Sequence, residues 1–341
     1  MMLRSNIALG VIFGICSGVL SGSYGMGMKK IKGWDWENTW LTYSFWALLV
    51  FPFVLAWTTV PDFWNIIGSV PFGVISLIFI LGAGWGLANI GFGIGLREIG
   101  IALTSVIVIG IGNVLGTISP LVIYHRESLW KPVGMCIICG AIISLLGIIL
   151  SSLESWPFSK KLPQSSARKN SHYKVIIICI CAGILGIFFN FALIVGTPLA
   201  KLAVLHGAKL QNASNVTWCI TLLGGFTVSA IYCSFLLIKK HTLQFFRAEE
   251  WVINCSYTAL MGLVWFGGTA LYGISVLYFG KFGPSIGWPI FQSVQIMAAN
   301  LLGIVTGEWN HLDRKTFTMR LAGIVLLISG IIITSAAGKL A

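Results

Sequence analysis

The chain has 341 residues, 57% of them hydrophobic and only 9% charged, with a formal net charge of +12 and a mean hydropathy of +0.90. Soluble domains carry roughly a quarter charged residues, so this composition excludes a soluble enzyme, a disordered chain and a nucleic-acid-binding domain despite the basic balance. The apolar residues fall in runs of about 20, the length that crosses roughly 30 Å of hydrocarbon as a helix. This is the sequence of a polytopic, all-α membrane protein.

Ten spans are predicted, over residues 6–24, 41–59, 72–95, 101–123, 132–151, 174–195, 211–238, 251–279, 284–306 and 318–338. Arg4 ahead of the first run also fits a cleavable leader, but the run is long and lacks an A-x-A site, so it is read as a retained span. That span carries Gly10, Gly14, Gly18 and Gly22, a smooth stripe along which a neighbouring helix can approach closely. The third and eighth spans are long enough to be tilted or kinked. Only the connection 152–173 is long, and its Pro157, Pro163, Lys160, Lys161, Arg168 and Lys169 mark a solvated cytoplasmic linker. The chain thus divides into a first five-helix unit, 1–151, and a second, 174–341. Cys136 and Cys139 have C-x-x-C spacing but lie in an apolar span with no His nearby. They read as packing residues, and no metal or cofactor is expected.

Fifteen of the twenty-two Lys and Arg residues belong to the odd-numbered connections. The positive-inside rule then puts those connections in the cytoplasm and both termini outside. The basic excess faces anionic lipid of the bilayer and calls for no nucleic-acid partner.

A repeat with a period near 180 runs through the chain. Trp85, Gly93 and Gly100 are spaced as are Trp265, Gly273 and Gly280, offset by 180. Gly140-x6-Gly147 is followed by Ile148 and Ile149, as Gly323-x6-Gly330 is by Ile331 and Ile332. Glu127 and Glu308 hold corresponding places after the fourth and ninth spans. A duplicated unit of five spans enters the membrane in the opposite sense the second time. The expected fold is therefore ten transmembrane helices as two inverted five-helix repeats, an architecture of secondary transporters whose substrate sits near the midplane.

Polar residues at that depth are costly and usually face the bundle interior. Trp85, Asn89 and Phe92 share one helical face, as do their repeat counterparts Trp265, Thr269 and Tyr272. Trp288, Gln292 and Gln295 form a third stripe, and Asn113 adds an amide in the fourth span. Amides offer donors and acceptors to hydroxyls, and an indole face suits the C–H face of a sugar. No acid, Arg or Lys falls at a span centre, so the expected ligand is a neutral polar solute. Trp85, Asn89, Asn113, Trp265, Thr269, Tyr272, Trp288, Gln292 and Gln295 are the expected contacts. An exporter or exchanger of another neutral metabolite, or a membrane sugar sensor, fits the same residues.

Three stretches carry a resemblance. Lys29-Lys30-Ile31-Lys32-Gly33-Trp34-Asp35-Trp36-Glu37 with Trp40, then Gly82-Ala83-x-Trp85-Gly86-x-x-Asn89-Ile90, then Glu308-Trp309-Asn310 resemble the bacterial L-rhamnose–proton symporter family, a branch of the drug/metabolite transporter superfamily. The resemblance implies uptake of a 6-deoxyhexose such as L-rhamnose, with a proton, across the bacterial inner membrane. A coupling proton needs a titratable group that responds to substrate. The five His residues lie in loops or at span ends, and the acids at span boundaries are Glu37, Glu98, Glu127 and Glu308. Glu37 and Glu308 are the expected carriers. Glu37 also suits the start of the second helix, offsetting its dipole beside Lys29, Lys30 and Lys32.

Overall fold

The computed structural model describes residues 6–152, 166–247, 249–305 and 313–340. Ten of its helical stretches are long and apolar enough to cross a membrane. They are α1 (Ile7–Lys30), α2 (Trp36–Thr59), α3 (Phe72–Glu98), α4 (Leu103–Tyr124), α5 (Pro132–Ser152), α6 (Tyr173–Leu205), α7 (Leu210–Lys239), α8 (Trp251–Tyr278), α9 (Gly280–Val305) and α10 (Arg314–Ala337). Among the described residues there is no strand. Large apolar side chains such as Ile80, Leu87, Ile231, Phe235 and Val325 stand on the outside. In water they would be anomalous; in hydrocarbon they face a like medium.

Local chemistry explains how the helices depart from the predicted spans. α2 begins at Trp36, so Glu37 lies in its first turn. Its middle, Phe45–Val50, widens into π-helix just ahead of Pro52, where a missing N–H and a bulky ring disrupt the ordinary ladder. α6 is broken at Ile187 and Gly196 into three pieces, the first belonging to a helix that starts before the span, Ser166–Gly186, and the others Phe188–Val195 and Thr197–Leu205. The last break falls at Gly196, just before Pro198. The helical backbone that begins at Ser166 occupies the end of the stretch read as linker. The two longest unbroken α-helices among the described residues, Phe72–Glu98 with 27 residues and Trp251–Tyr278 with 28, span about 40 Å at 1.5 Å per residue.

Glycine sets the closest packing. The α1 stripe fits into α8 and α9: Gly10 meets Phe279, Gly14 meets Ser275 and Ile290, Gly18 meets Val294, and Gly22 meets Gln295 and Ala298. α5 and α10 run antiparallel, with Gly140 against Gly330 and Gly147 against Gly323. α1 packs on α8 and α9 as α6 packs on α3 and α4, and α3 packs on α7 as α8 does on α2. α4 lies against α5 as α9 lies against α10, while α2–α7, α4–α9 and α5–α10 are also in contact. The centre of this arrangement is aromatic.

Candidate functional site

α3, α6, α7, α8 and α9 each send aromatic rings into one cluster. Trp85 stacks on Trp265, with centroids 5.5 Å apart and planes at 24°. Phe189 lies at the hub, 5.0 Å from Trp85, 4.7 Å from Trp218 and 6.1 Å from Trp288. Tyr272 stands 5.8 Å from Trp288 and 5.1 Å from Phe291. Of the residues read as substrate contacts, Trp85, Trp265, Tyr272 and Trp288 therefore meet in space. Offset and edge-on ring contacts at these distances are favourable beyond the area they bury.

Two of the expected polar contacts are already engaged. The Tyr272 hydroxyl donates to Asn190 Oδ1 at 2.6 Å, and the Trp288 indole donates to the Gly112 carbonyl at 3.0 Å. Asn190 also donates to the carbonyls of Gly116 (3.0 Å) and Pro284 (3.2 Å). That amide ties α6 to α4, α8 and α9 and holds the break in α6 in place. Asn89 donates to the Trp85 carbonyl of its own helix at 3.0 Å, and Gln295 Nε2 approaches the Ser21 carbonyl at 3.5 Å. Asn89, Gln292 and Gln295 are half-buried.

Thr269 and Asn113 are fully buried, and neither the Thr269 hydroxyl nor either amide atom of Asn113 has a hydrogen-bond partner. Most buried polar atoms are paired; Ser17, Ser21, Ser44 and Thr104 share this lack of a partner, so it does not by itself single out these two residues. Asn113 follows Gly112, the acceptor of Trp288, and thus borders the cluster without belonging to it.

Phe189, Asn190 and Trp218 are central here and were not picked out from the sequence. An amide inside an apolar span was a readable signal for Asn190. Trp218 has the polar Ser214, Asn215 and Thr221 among its helical neighbours, a readable stripe that was passed over. Nothing in the pattern distinguished Phe189 from other phenylalanines.

Glu37 is fully buried, and its carboxylate takes Lys240 Nζ at 2.9 Å and Thr242 Oγ1 at 2.9 Å. Its partner is thus more than two hundred residues away, not the neighbouring lysines. Asn38 Nδ2 donates to the Thr242 carbonyl at 3.0 Å, and Asn254 Nδ2 to the Lys32 carbonyl at 2.7 Å. These bonds fasten the start of α2 to the end of α7 and the start of α8. Glu98 pairs with Arg97 at 2.8 Å on the surface. Glu127, between α4 and α5, is held below the usual carboxylate range by its own backbone N–H, then by Ser128 and His125. Glu308 lies outside the described residues. Among the described residues no cluster of three or more His, Cys, Asp or Glu side chains could hold a metal, and the cysteines are free thiols.

Comparison with known proteins sets these features in a family. Residues 3–338 match the model of the L-rhamnose-proton symport protein (RhaT) family. The chain is 23% identical over 333 residues, 96% of either sequence, to proteins named L-rhamnose-proton symporter from Yersinia pestis (strain Pestoides F) and Pectobacterium atrosepticum. A protein of the same name from Yersinia pseudotuberculosis (serotype I) matches equally well. With a match that runs through all ten helices, this multi-pass membrane protein belongs to the L-rhamnose-proton symport protein family.

Proposed function

We propose that the protein carries L-rhamnose, or a 6-deoxyhexose close to it, together with a proton into the bacterial cell across the inner membrane, by alternating access between two inverted five-helix repeats. The observation that carries this reading is the family match over residues 3–338. The packing supports the repeat. Exchanging each of α1–α5 with the helix five places later turns the main list of helix contacts into itself. Trp85 with Trp265, and Gly140 with Gly330, are the contacts expected beside a pseudo-two-fold axis. In this reading the repeats rock about the aromatic cluster. Trp85 and Trp265 take the sugar's apolar face; Asn89, Asn113, Thr269, Gln292 and Gln295 take its hydroxyls; Tyr272 and Trp288 line the site while bonded to the protein.

The odd-numbered connections face the cytoplasm and both termini lie outside. Glu37 is the proposed proton site, with Glu308 second. For Glu37 to accept a proton, Lys240 must first give up the carboxylate, so protonation is tied to movement between α2 and α7. One charge moving down 100 mV supplies about 2.3 kcal/mol, or roughly fiftyfold accumulation.

Proteoliposomes loaded with neutral buffer and diluted into labelled L-rhamnose at lower external pH test this directly. The expected result is accumulation above the outside concentration, collapsed by a protonophore. Exchange without accumulation would point to an exporter or exchanger. Binding without counterflow would identify a sensor, and no uptake with or without a gradient would remove the sugar reading.

A further inference from the structure

α2 is fastened to α7 at both of its ends. At the start of α2, Lys240 and Thr242 hold Glu37, and Asn38 donates to the Thr242 carbonyl. At its far end, Asn215 Nδ2 from the start of α7 donates to Thr59 Oγ1 at 2.9 Å. Just beyond, His206 Nδ1 lies 3.1 Å from Asp62 Oδ2, which joins the connection before α7 to the one after α2. We propose that these fastenings are two gates worked by one helix. The halves of α2 on either side of Phe45–Val50 swing separately, and each releases α7 at one membrane face at a time. The inference rests on the alternating-access reading above and deepens it by naming the parts that move.

The π-helical segment supplies the hinge. It lies midway between the two fastenings, and wide turns of this kind are where helices bend. The two halves also belong to different packed groups. Tyr43, with Ala47 and Leu48 of the π segment, is buried in the aromatic centre, whereas Ala56 and Val60 are buried with Phe63, Ile66 and Val216. The hinge in turn touches the candidate site. A Cβ on Gly262 of α8 would lie 3.0 Å from the Ala47 nitrogen and 3.0 Å from Trp46 Cβ. Gly262 is one helical turn before Trp265, so a ligand resting on that indole sits next to the hinge.

The fastenings are unequal. Glu37 is fully buried and its carboxylate takes two bonds, and bonds to an ionised group are roughly twice as strong as neutral ones. The far end relies on a neutral amide–hydroxyl bond and on a His–Asp pair whose side chains are 34% and 58% exposed. Water screens such a surface pair. The far end is therefore the one that opens more readily in the empty protein. In the orientation proposed above it faces the outside, where an imported sugar arrives.

Cysteine pairs at Thr59 and Asn215, and at Asn38 and Thr242, can each be joined by a short reducible bis-thiol reagent to close one end. Either bridge should abolish L-rhamnose counterflow in proteoliposomes, with recovery on reduction. Each singly bridged protein should still bind L-rhamnose in nanodiscs, because its other end opens. Counterflow at the wild-type rate with either end bridged would overturn the gates. A second measurement needs neither bridge nor sugar. Asn215 and Asn38 are buried, so a cysteine at either place meets a water-soluble maleimide only when its own end opens. In empty nanodiscs Asn215→Cys should react about tenfold faster than Asn38→Cys, with the wild type giving the background from native thiols. No reaction above background at either position, or faster reaction at Asn38→Cys, would overturn the proposal. Failure of the wild type to counterflow L-rhamnose would instead overturn the sugar reading and leave the maleimide result to judge the gates.

Discussion

Trp85 of α3 and Trp265 of α8 are 180 residues apart in sequence and stack face to face at 5.5 Å. Under the proposed duplication, equivalent residues touch each other only where the axis relating the halves passes between them. α5 and α10 behave alike: Gly140 meets Gly330, and their counterparts Gly323 and Gly147 also meet. In that reading one line accounts for both the aromatic pair and the glycine seam. The proposed ligand beside it would be reached from both halves, as the proposed alternating access requires.

Removing either indole should therefore damage the same event. Trp85→Ala and Trp265→Ala are each expected to weaken L-rhamnose binding by tenfold or more, and Trp→Phe at either place by much less, because most of the stacking face remains. Quenching of intrinsic fluorescence by the sugar would measure this. Wild-type affinity in both alanine variants would move the site away from the axis.

The amides are a separate matter, since they are half-buried and Asn89 already spends one donor on its own helix. Asn89→Ala or Gln292→Ala should raise KM for transport about five- to thirtyfold, the effect of losing one hydrogen bond to an uncharged partner. The amount of folded protein should change little. Unchanged KM in both would leave the hydroxyls of the ligand to Thr269 and Asn113.

Much of this was legible in the sequence because hydrocarbon imposes simple rules. Spans must be long and apolar, and costly polar groups must face inward. Trp85, Trp265, Tyr272 and Trp288 meet because each lies on the inner face of its span. Phe92, from the first stripe, instead packs with Val108 and Cys179, and Gln295, from the third, approaches the Ser21 carbonyl. The polar partners were harder to foresee. Tyr272 is committed to Asn190, and Glu37 to Lys240, through contacts that join residues far apart in the chain. Periodicity describes one helix at a time and is silent about which helices meet. α2 ends at Thr59 as predicted despite its π-segment, while α6 runs on to Leu205, ten residues past the predicted end, through a break at Gly196 next to Pro198.

The glycine seam makes a prediction about stability alone. A Cβ on Gly147 would sit 2.9 Å from the Gly323 carbonyl oxygen, and one on Gly323 would sit 2.5 Å from the Ser151 nitrogen. Backbone atoms cannot step aside as side-chain ends can. Gly147→Leu or Gly323→Leu should force α5 and α10 apart at a cost of about 1–3 kcal/mol or more, seen as a lower melting temperature in detergent. Sugar affinity of the protein that remains folded should stay near wild type. Stable variants with weakened sugar binding would assign this seam to the site.

The Glu37–Lys240 pair allows stability and coupling to be read separately. The carboxylate is fully buried, while the Lys240 side chain is 41% exposed. Lys240→Met strands a buried charge and should destabilise the protein by about 1–3 kcal/mol, less than for a pair buried on both sides. Glu37→Gln removes the charge but keeps an oxygen for Thr242, so it should fold well. Combining the two should recover most of the stability lost by Lys240→Met, because no unpaired buried charge remains. For transport, Glu37→Gln should still exchange labelled for unlabelled sugar but fail to accumulate it against a gradient. In the proposed cycle a proton and Lys240 compete for this carboxylate. If the proton drives the cycle, it does so by displacing the lysine and releasing α2 from α7. Accumulation by Glu37→Gln at the wild-type level would leave the pair a fastening only, and would direct the search for the proton site to Glu308.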